Sequence, residues 1–340
     1  MEYYGTLGPA CKEAGILKDM FRAGMTGVRL NLSHGDLEEN GHWLELVADA
    51  AKECRNEADA KGMPVPQILI DLRGPEVRIG KLKTDVKAEE GSRILFGDGG
   101  IPVPEVVVSG TVEGDHILVD DGKLEFVAEK CAERITARVL RGGIVKSEKS
   151  LALVGKTLPM PTLTESDRRN IAQAAGYGVT GVMLPFVRNR EDLRTLKEAL
   201  CDAGADNIRI FAKIENTEGV EAIDELLPFC DHVVIARGDL GNSMPLWKLP
   251  GVQKRLAAGC RAAAKPFMVV TQMLDSMHER AVPTRAEVLD IYNAVLDGAA
   301  SLMLTGETAA GKYPVRAMEY LVKTGEEARH DMRSFSCLQR

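Results

Sequence analysis

Eight short apolar runs, separated by longer amphipathic stretches, constrain the fold of this chain more than any other feature. The runs lie at Glu2–Leu7, Gly27–Leu32, Gln67–Leu72, Gly181–Phe186, Ile208–Ile214, His232–Ala236, Phe267–Thr271 and Ser301–Leu304. Each is a near-continuous apolar run, as a strand buried on both faces of a parallel sheet should be. The stretches between them, such as Lys12–Ala23, Asp36–Ala60, Glu165–Tyr177, Arg190–Ala203, Val252–Ala264 and Arg285–Leu296, carry the spacing of half-buried helices. Thr164 and Asn189 stand where helix N-caps are wanted, each followed by acidic residues, and Gly298 stands just past a helix end. Eight strand–helix units are the number that closes an α/β (β/α)8 TIM barrel. An open doubly wound sheet shares the alternation, but no G-x-G-x-x-G follows the first run.

The rhythm breaks once. From Ile79 to Leu153 short β-branched runs alternate with closely spaced turn signals, among them Gly97-Asp98-Gly99-Gly100 and Asp120-Asp121-Gly122-Lys123. The second of these reads as a hairpin with an Asp-Gly turn. We read residues 79–153 as a small all-β domain inserted after the third strand, and residues 1–78 and 154–330 as the barrel. A barrel carries its active site on the face from which this insert emerges, so a lid is the natural role. Residues from Asp331 to the end are expected to form a frayed tail.

Composition excludes several function classes. The 340 residues carry 43 Lys plus Arg against 50 Asp plus Glu, a net charge of −7, which is no footprint for nucleic acid or an anionic membrane. No apolar run reaches the ~18 residues of a spanning helix. The first residues lack a basic segment followed by an apolar one, so no secretory signal is expected. Seven scattered cysteines with no C-x-x-C pair suit reduced thiols in a cytoplasmic protein.

The polar residues at the strand exits carry the chemistry. Glu215 and Asp239 follow adjacent strands, and two carboxylates with few His or Cys suit Mg²⁺ or Mn²⁺ rather than zinc. Lys213 lies two residues before Glu215, so both side chains share a face. A cation beside metal-binding acids suits an enolate or a phosphoryl group in transfer. Arg29, Arg73 and Arg78 near the mouth suit phosphate. Asn31, Ser33 and Asp71 offer oxygens for a monovalent cation, although such residues also cap helices. The segment from Gly306 to Tyr313 nearly matches a phosphate loop, but Tyr313 stands where a Ser or Thr hydroxyl is required.

At these motifs the sequence resembles pyruvate kinase. The matching segments are Thr6 to Ala10, Arg29 to Gly35, Gly74-Pro75-Glu76-Val77-Arg78, Lys213-Ile214-Glu215-Asn216, Ala236 to Gly241, Thr271 to Met277, Pro283 to Val288 and Gly306 to Ala309. The resemblance implies phosphoryl transfer from phosphoenolpyruvate to ADP, giving pyruvate and ATP in the last step of glycolysis. It implies that Glu215 and Asp239 hold the divalent metal and that Lys213 steadies the phosphoryl in flight. The amides of Gly238 and Asp239, with Thr271, would take the substrate carboxylate, and Arg29 would hold phosphate oxygens. Arg29, Asn31, His34, Arg78 and Lys149 would contact the nucleotide. Asn31, Ser33, Asp71 and the Leu72 carbonyl would hold K⁺, and Glu76 fits the potassium-dependent branch of the family.

The chain departs from the family pattern at several places. Leu72-Arg73 replaces Thr-Lys, Leu184-Pro185-Phe186 replaces Ala-Ser-Phe, Asn242-Ser243 replaces Val-Glu, and Thr305 replaces Ser. The family's C-terminal effector domain has no counterpart in these residues, so switching through it is not expected and any homo-oligomer would form through the barrel. Two other functions would keep the same site: a metal-dependent lyase or decarboxylase working through a pyruvate enolate, and a non-catalytic binding or regulatory paralogue.

Overall fold

A computed structural model describes residues 1–56, 64–156 and 158–338. Strands β1 (Glu2–Thr6), β2 (Gly27–Asn31) and β3 (Gln67–Asp71) open the barrel. Strands β4 (Val86–Ala88), β5 (Arg93–Gly97), β6 (His116–Val119), β7 (Leu124–Cys131), β8 (Arg134–Arg141), β9 (Gly143–Val145) and β10 (Leu151–Leu153) form the insert. The barrel resumes with β11 (Gly181–Leu184), β12 (Arg209–Ile214), β13 (His232–Ala236), β14 (Phe267–Val270) and β15 (Ser301–Leu304). The eight barrel strands close in the order β1-β15-β14-β13-β12-β11-β3-β2, which settles the choice between barrel and open sheet. Every barrel pair is parallel. Tyr4, Leu69, Met183, Phe211, Val234, Met268, Val270 and Met303 fill the barrel interior. A second core packs the outer strand faces against the helices, which is why these strands lack polar alternation.

Most strands end one or two residues before their apolar runs do. Leu7, Leu32, Leu72, Phe186 and Thr271 lie past the strand ends. Phe186 and Thr271 leave extended geometry altogether, with φ of 54° and 76°. The chain turns there because the next residues must line the barrel mouth.

The helices keep their sequence signals. Thr164 forms a reciprocal capping box with Asp167, Asn189 accepts from the amides of Glu191 and Asp192, and Thr284 boxes with Glu287. The helix expected at Val252 starts earlier, at Leu249, with Pro250 in its first turn. The helix expected over Asp36–Ala60 runs over Leu37–Asn56, and its last four residues lie outside the described residues. One expectation is corrected: the final helix spans Pro314–Leu338, so Asp331 begins no frayed tail. The Tyr292 hydroxyl donates to Asp331 Oδ2 at 2.7 Å and ties that part of the helix to its neighbour, Arg285–Leu296. Residues 339–340 lie outside the described residues.

In the insert, β10-β6-β7-β8-β5 form one antiparallel sheet, and β4 pairs with β9. It has its own core, where Phe96 and Phe126 meet edge to face with centroids 5.1 Å apart. A short helix at Glu105–Gly110 interrupts the all-β pattern. The β6–β7 turn is tight: Asp120, Asp121 and Gly122 all take positive φ, at 53°, 54° and 77°.

His232 makes the barrel sensitive to acid. It is buried, stacked on Phe211 at 4.7 Å, and 2.9 Å from Ser301 Oγ through Nε2. Burial, and then the charge of Arg209, push its pKa down to about 4. The unfolded chain binds this proton near pH 6.5, so the neutral ring's contribution is complete above that pH and is lost as pH falls toward 4. Up to about 3 kcal/mol of stability is at stake. Chemical denaturation of the protein and of His232→Gln across pH 7 to 4 is expected to show a steeper loss in the parent; equal slopes would refute this.

Candidate active site

The exits of β2, β3 and β12 bring four charged side chains into a row. The Arg29 guanidinium grips Asp71 Oδ2 through Nε and Nη2 at 2.9 and 2.6 Å. Lys213 Nζ lies 3.1 Å from both Asp71 oxygens and 3.0 Å from Glu215 Oε1. Register explains the convergence. Met183 on β11 pairs with Asp71 on β3, and β11 also pairs with β12, so Asp71 and Lys213 sit one strand apart across β11. Burial works against the Lys213 ammonium, but the Asp71 and Glu215 carboxylates outweigh it and raise its pKa above the ordinary lysine value. Burial likewise works against the Asp71 carboxylate, and Lys213 and Arg29 together hold its pKa below the usual range. Lys213 is therefore a fixed positive charge, not a proton carrier.

Asp239 faces this row from the first turn of a helix at Arg237–Asn242. Burial first, and then the charge of Glu215, push its pKa up to about 7. Among the described residues its carboxylate accepts no side-chain or loop-amide hydrogen bond, and its exposed face lines the cavity between barrel and insert. An acid held near another acid without a balancing cation of its own fits a hard divalent ion such as Mg²⁺ or Mn²⁺. Glu215 is oriented beside Asp239: its Oε2 accepts from the Phe186 amide at 2.9 Å.

Gly238 and Thr271 complete this end of the site. A Cβ on Gly238 would come within 3.2 Å of Thr271 Cγ2, a tight contact that the threonine side chain would have to yield to. Thr271 and Gln272 both take positive φ, 76° and 54°, which is strained for a β-branched residue. Arg237 holds this turn. Its Nε and Nη2 donate to the Thr271 carbonyl at 3.2 and 2.8 Å, and its Nη1 pairs with Asp290 at 2.6 Å. Sequence alone assigns Arg237 no role; its one signal there is a charge directly before Gly-Asp at a strand exit.

Arg29, Asp71, Lys213, Glu215, Gly238, Asp239 and Thr271 line one cavity of about 1000 Å³, walled on the far side by Asp121 and Gly122 of the insert. Asn31, Ser33, His34, Leu72, Arg78 and Lys149 do not line it. Asn31 sits beside Asp71 in register, but its Oδ1 accepts from the Ser33 amide at 3.2 Å. Leu72 is buried and His34 is exposed. Arg78 pairs with Glu76 at 2.7 Å and donates to the Glu148 carbonyl at 2.8 Å. Lys149 pairs with Asp120 at 2.7 Å.

Removing Asp71 would strand two buried cations. Asp71→Asn is expected to lower unfolding free energy by about 3–5 kcal/mol in urea titrations. The double variant Asp71→Asn with Lys213→Met should lose less than the sum of the single changes. Strict additivity would contradict the coupling.

Comparison with known proteins identifies the family of the barrel. Residues 2–318 match the family model of the pyruvate kinase barrel domain. The pyruvate kinase of Geobacillus stearothermophilus is 38% identical over 326 residues, which cover 92% of this chain and 54% of that protein. That of Aeropyrum pernix is 39% identical over 327 residues, 95% of this chain and 69% of the relative. That of Mycobacterium tuberculosis is 38% identical over 335 residues, with the same coverage of 95% and 69%. The chain thus spans between about half and two thirds of the length of these relatives. By both its matched barrel and its aligned relatives, the chain belongs to the pyruvate kinase family.

Proposed function

We propose that the chain transfers the phosphoryl group of phosphoenolpyruvate to ADP, giving pyruvate and ATP. The row Arg29–Asp71–Lys213–Glu215 facing Asp239 carries this reading. A loose phosphoryl transfer asks for fixed positive charge around the equatorial oxygens and a second anchor for the acceptor side. Lys213, held protonated by its two acids, supplies that charge without reorganising. Arg29 presents its guanidinium beside Lys213 for phosphate oxygens. The amides of Gly238 and Asp239 and the Thr271 hydroxyl take the substrate carboxylate, which directs the enolate carbon toward Thr271.

Glu215 and Asp239 hold Mg²⁺ or Mn²⁺. The divalent ion, when bound, neutralises the phosphoryl and enolate oxygens as a Lewis acid. Asn31, Ser33, Asp71 and the Leu72 carbonyl form the K⁺ site. Their donors are all oxygen, and Asn31 and Asp71 lie side by side in register. Arg78, Lys149, Asn31 and His34 serve the nucleotide. Arg78 and Lys149 reach it by exchanging their present acids, Glu76 and Asp120, for phosphate. The insert is the lid that brings Lys149 over the cleft. We place the protein in the cytoplasm, acting without nucleic acid or membrane, with copies associating through the barrel. Among the described residues, no helix is long and apolar enough to cross a membrane.

An assay of pyruvate formed from phosphoenolpyruvate and ADP, with Mg²⁺ or Mn²⁺ and with or without K⁺, tests the reading. Activity should need ADP and a divalent ion, rise with K⁺, and fall about 10²- to 10³-fold in Lys213→Met. No pyruvate under any of these ions would refute it. Pyruvate released from a 2-keto or acyl substrate without ADP would favour a lyase.

A further inference from the structure

We propose that Pro185 is a positioning residue, which fixes the Phe186 amide against Glu215 and so presets the acid pair for its divalent cation. The role rests on the reading of Glu215 and Asp239 as the metal-binding acids, and not on the identity of the substrate.

Glu215 is oriented by two groups. Its Oε1 faces Lys213 Nζ at 3.0 Å, and its Oε2 accepts from the Phe186 amide at 2.9 Å. Phe186, which makes the second contact, takes a φ of 54°, a left-handed conformation that a bulky aromatic residue rarely adopts. Such strain persists where the surroundings over-determine it. Two features do so here. Beyond Phe186, the Val187 amide donates to the Lys213 carbonyl at 3.3 Å, and the Asn216 amide group donates to the Val187 carbonyl at 3.2 Å. Before it, the Pro185 ring fixes its own φ and packs onto Gly74, which takes a φ of 61°. A side chain on Gly74 would meet Pro185 Cγ at 2.5 Å and Phe186 Cδ2 at 3.4 Å, so the ring occupies that place completely.

Gly74 is itself held. Asp167 Oδ1 accepts from the Arg73 and Gly74 amides at 2.9 and 3.4 Å, and Leu72 donates to the Met183 carbonyl at 3.1 Å. The ring therefore wedges between a rigid loop and a strained turn. That loop leads directly into the insert, so one side chain joins the root of the lid to a metal-binding acid. Proline lacks an amide hydrogen, and the turn gives up that donor in exchange for a fixed entry angle.

The test is Mn²⁺ binding to the protein alone, followed by electron paramagnetic resonance, with melting temperature measured in parallel. The parent should bind Mn²⁺, and Glu215→Gln should lose it. Pro185→Ala should weaken Mn²⁺ roughly tenfold, the lower edge of what disturbing an outer partner of a metal ligand costs. Its melting temperature should stay close to the parent's. Gly74→Ala, which displaces the same ring from the other side, should weaken Mn²⁺ in the same direction. Parent affinity in both Pro185→Ala and Gly74→Ala, with Mn²⁺ lost in Glu215→Gln, would overturn the role of Pro185 alone. Equal Mn²⁺ binding by the parent and Glu215→Gln would remove the metal assignment itself, and this role with it.

Discussion

Asp71 is the electrostatic keystone of the molecule. It is a buried carboxylate at the end of β3, and two cations close on it, Arg29 from the adjacent β2 and Lys213 from β12, one strand beyond β11. Without it Arg29 and Lys213 would repel each other in a half-buried setting that solvates them only in part. With it the row carries alternating signs, and Glu215 extends that alternation toward Asp239. The barrel's register does the placing, because β3 and β12 flank the same strand. The placement of this row is thus a property of strand order.

The architecture was legible in the sequence because a parallel barrel buries both faces of every strand. That leaves runs such as Phe267–Val270 and Ser301–Leu304 without a polar residue to blur them, apart from Ser301, which His232 satisfies. The same property misplaced the strand ends. Leu72, Phe186 and Thr271 are apolar or β-branched like the strand before them, so composition could not show that the backbone leaves the sheet there. Helix caps were readable where a side chain acts on its own local backbone, as with Thr164 and Asn189. They are local chemistry, and local chemistry survives in sequence.

What could not be read depends on contacts distant in sequence. Lys213 and Glu215 could be paired from their spacing, but the grip of Asp71 on Lys213 crosses 142 residues. Arg237 looked like one more polar residue at a strand exit, and only the fold shows it holding the Thr271 carbonyl. The final helix seemed to end early because its last turns are polar; Tyr292, from another helix, accounts for Asp331. Arg78 and Lys149 are the opposite case. Their residue types suit phosphate, yet each now sits on an acid of its own neighbourhood.

Barrel closure joins the two ends of the chain. Glu2 on β1 pairs with Ser301 on β15, so the first strand waits for the last before its hydrogen-bonding edge is covered. During synthesis, almost three hundred residues must leave the ribosome before that seam can be sealed. Until then β1 and β2 present an apolar, sticky ribbon to the cell. The insert carries its own core and needs no such partner, so it can collapse while the seam is still open. The open seam is therefore the exposed part of such a nascent chain, while the insert already has what it needs to fold.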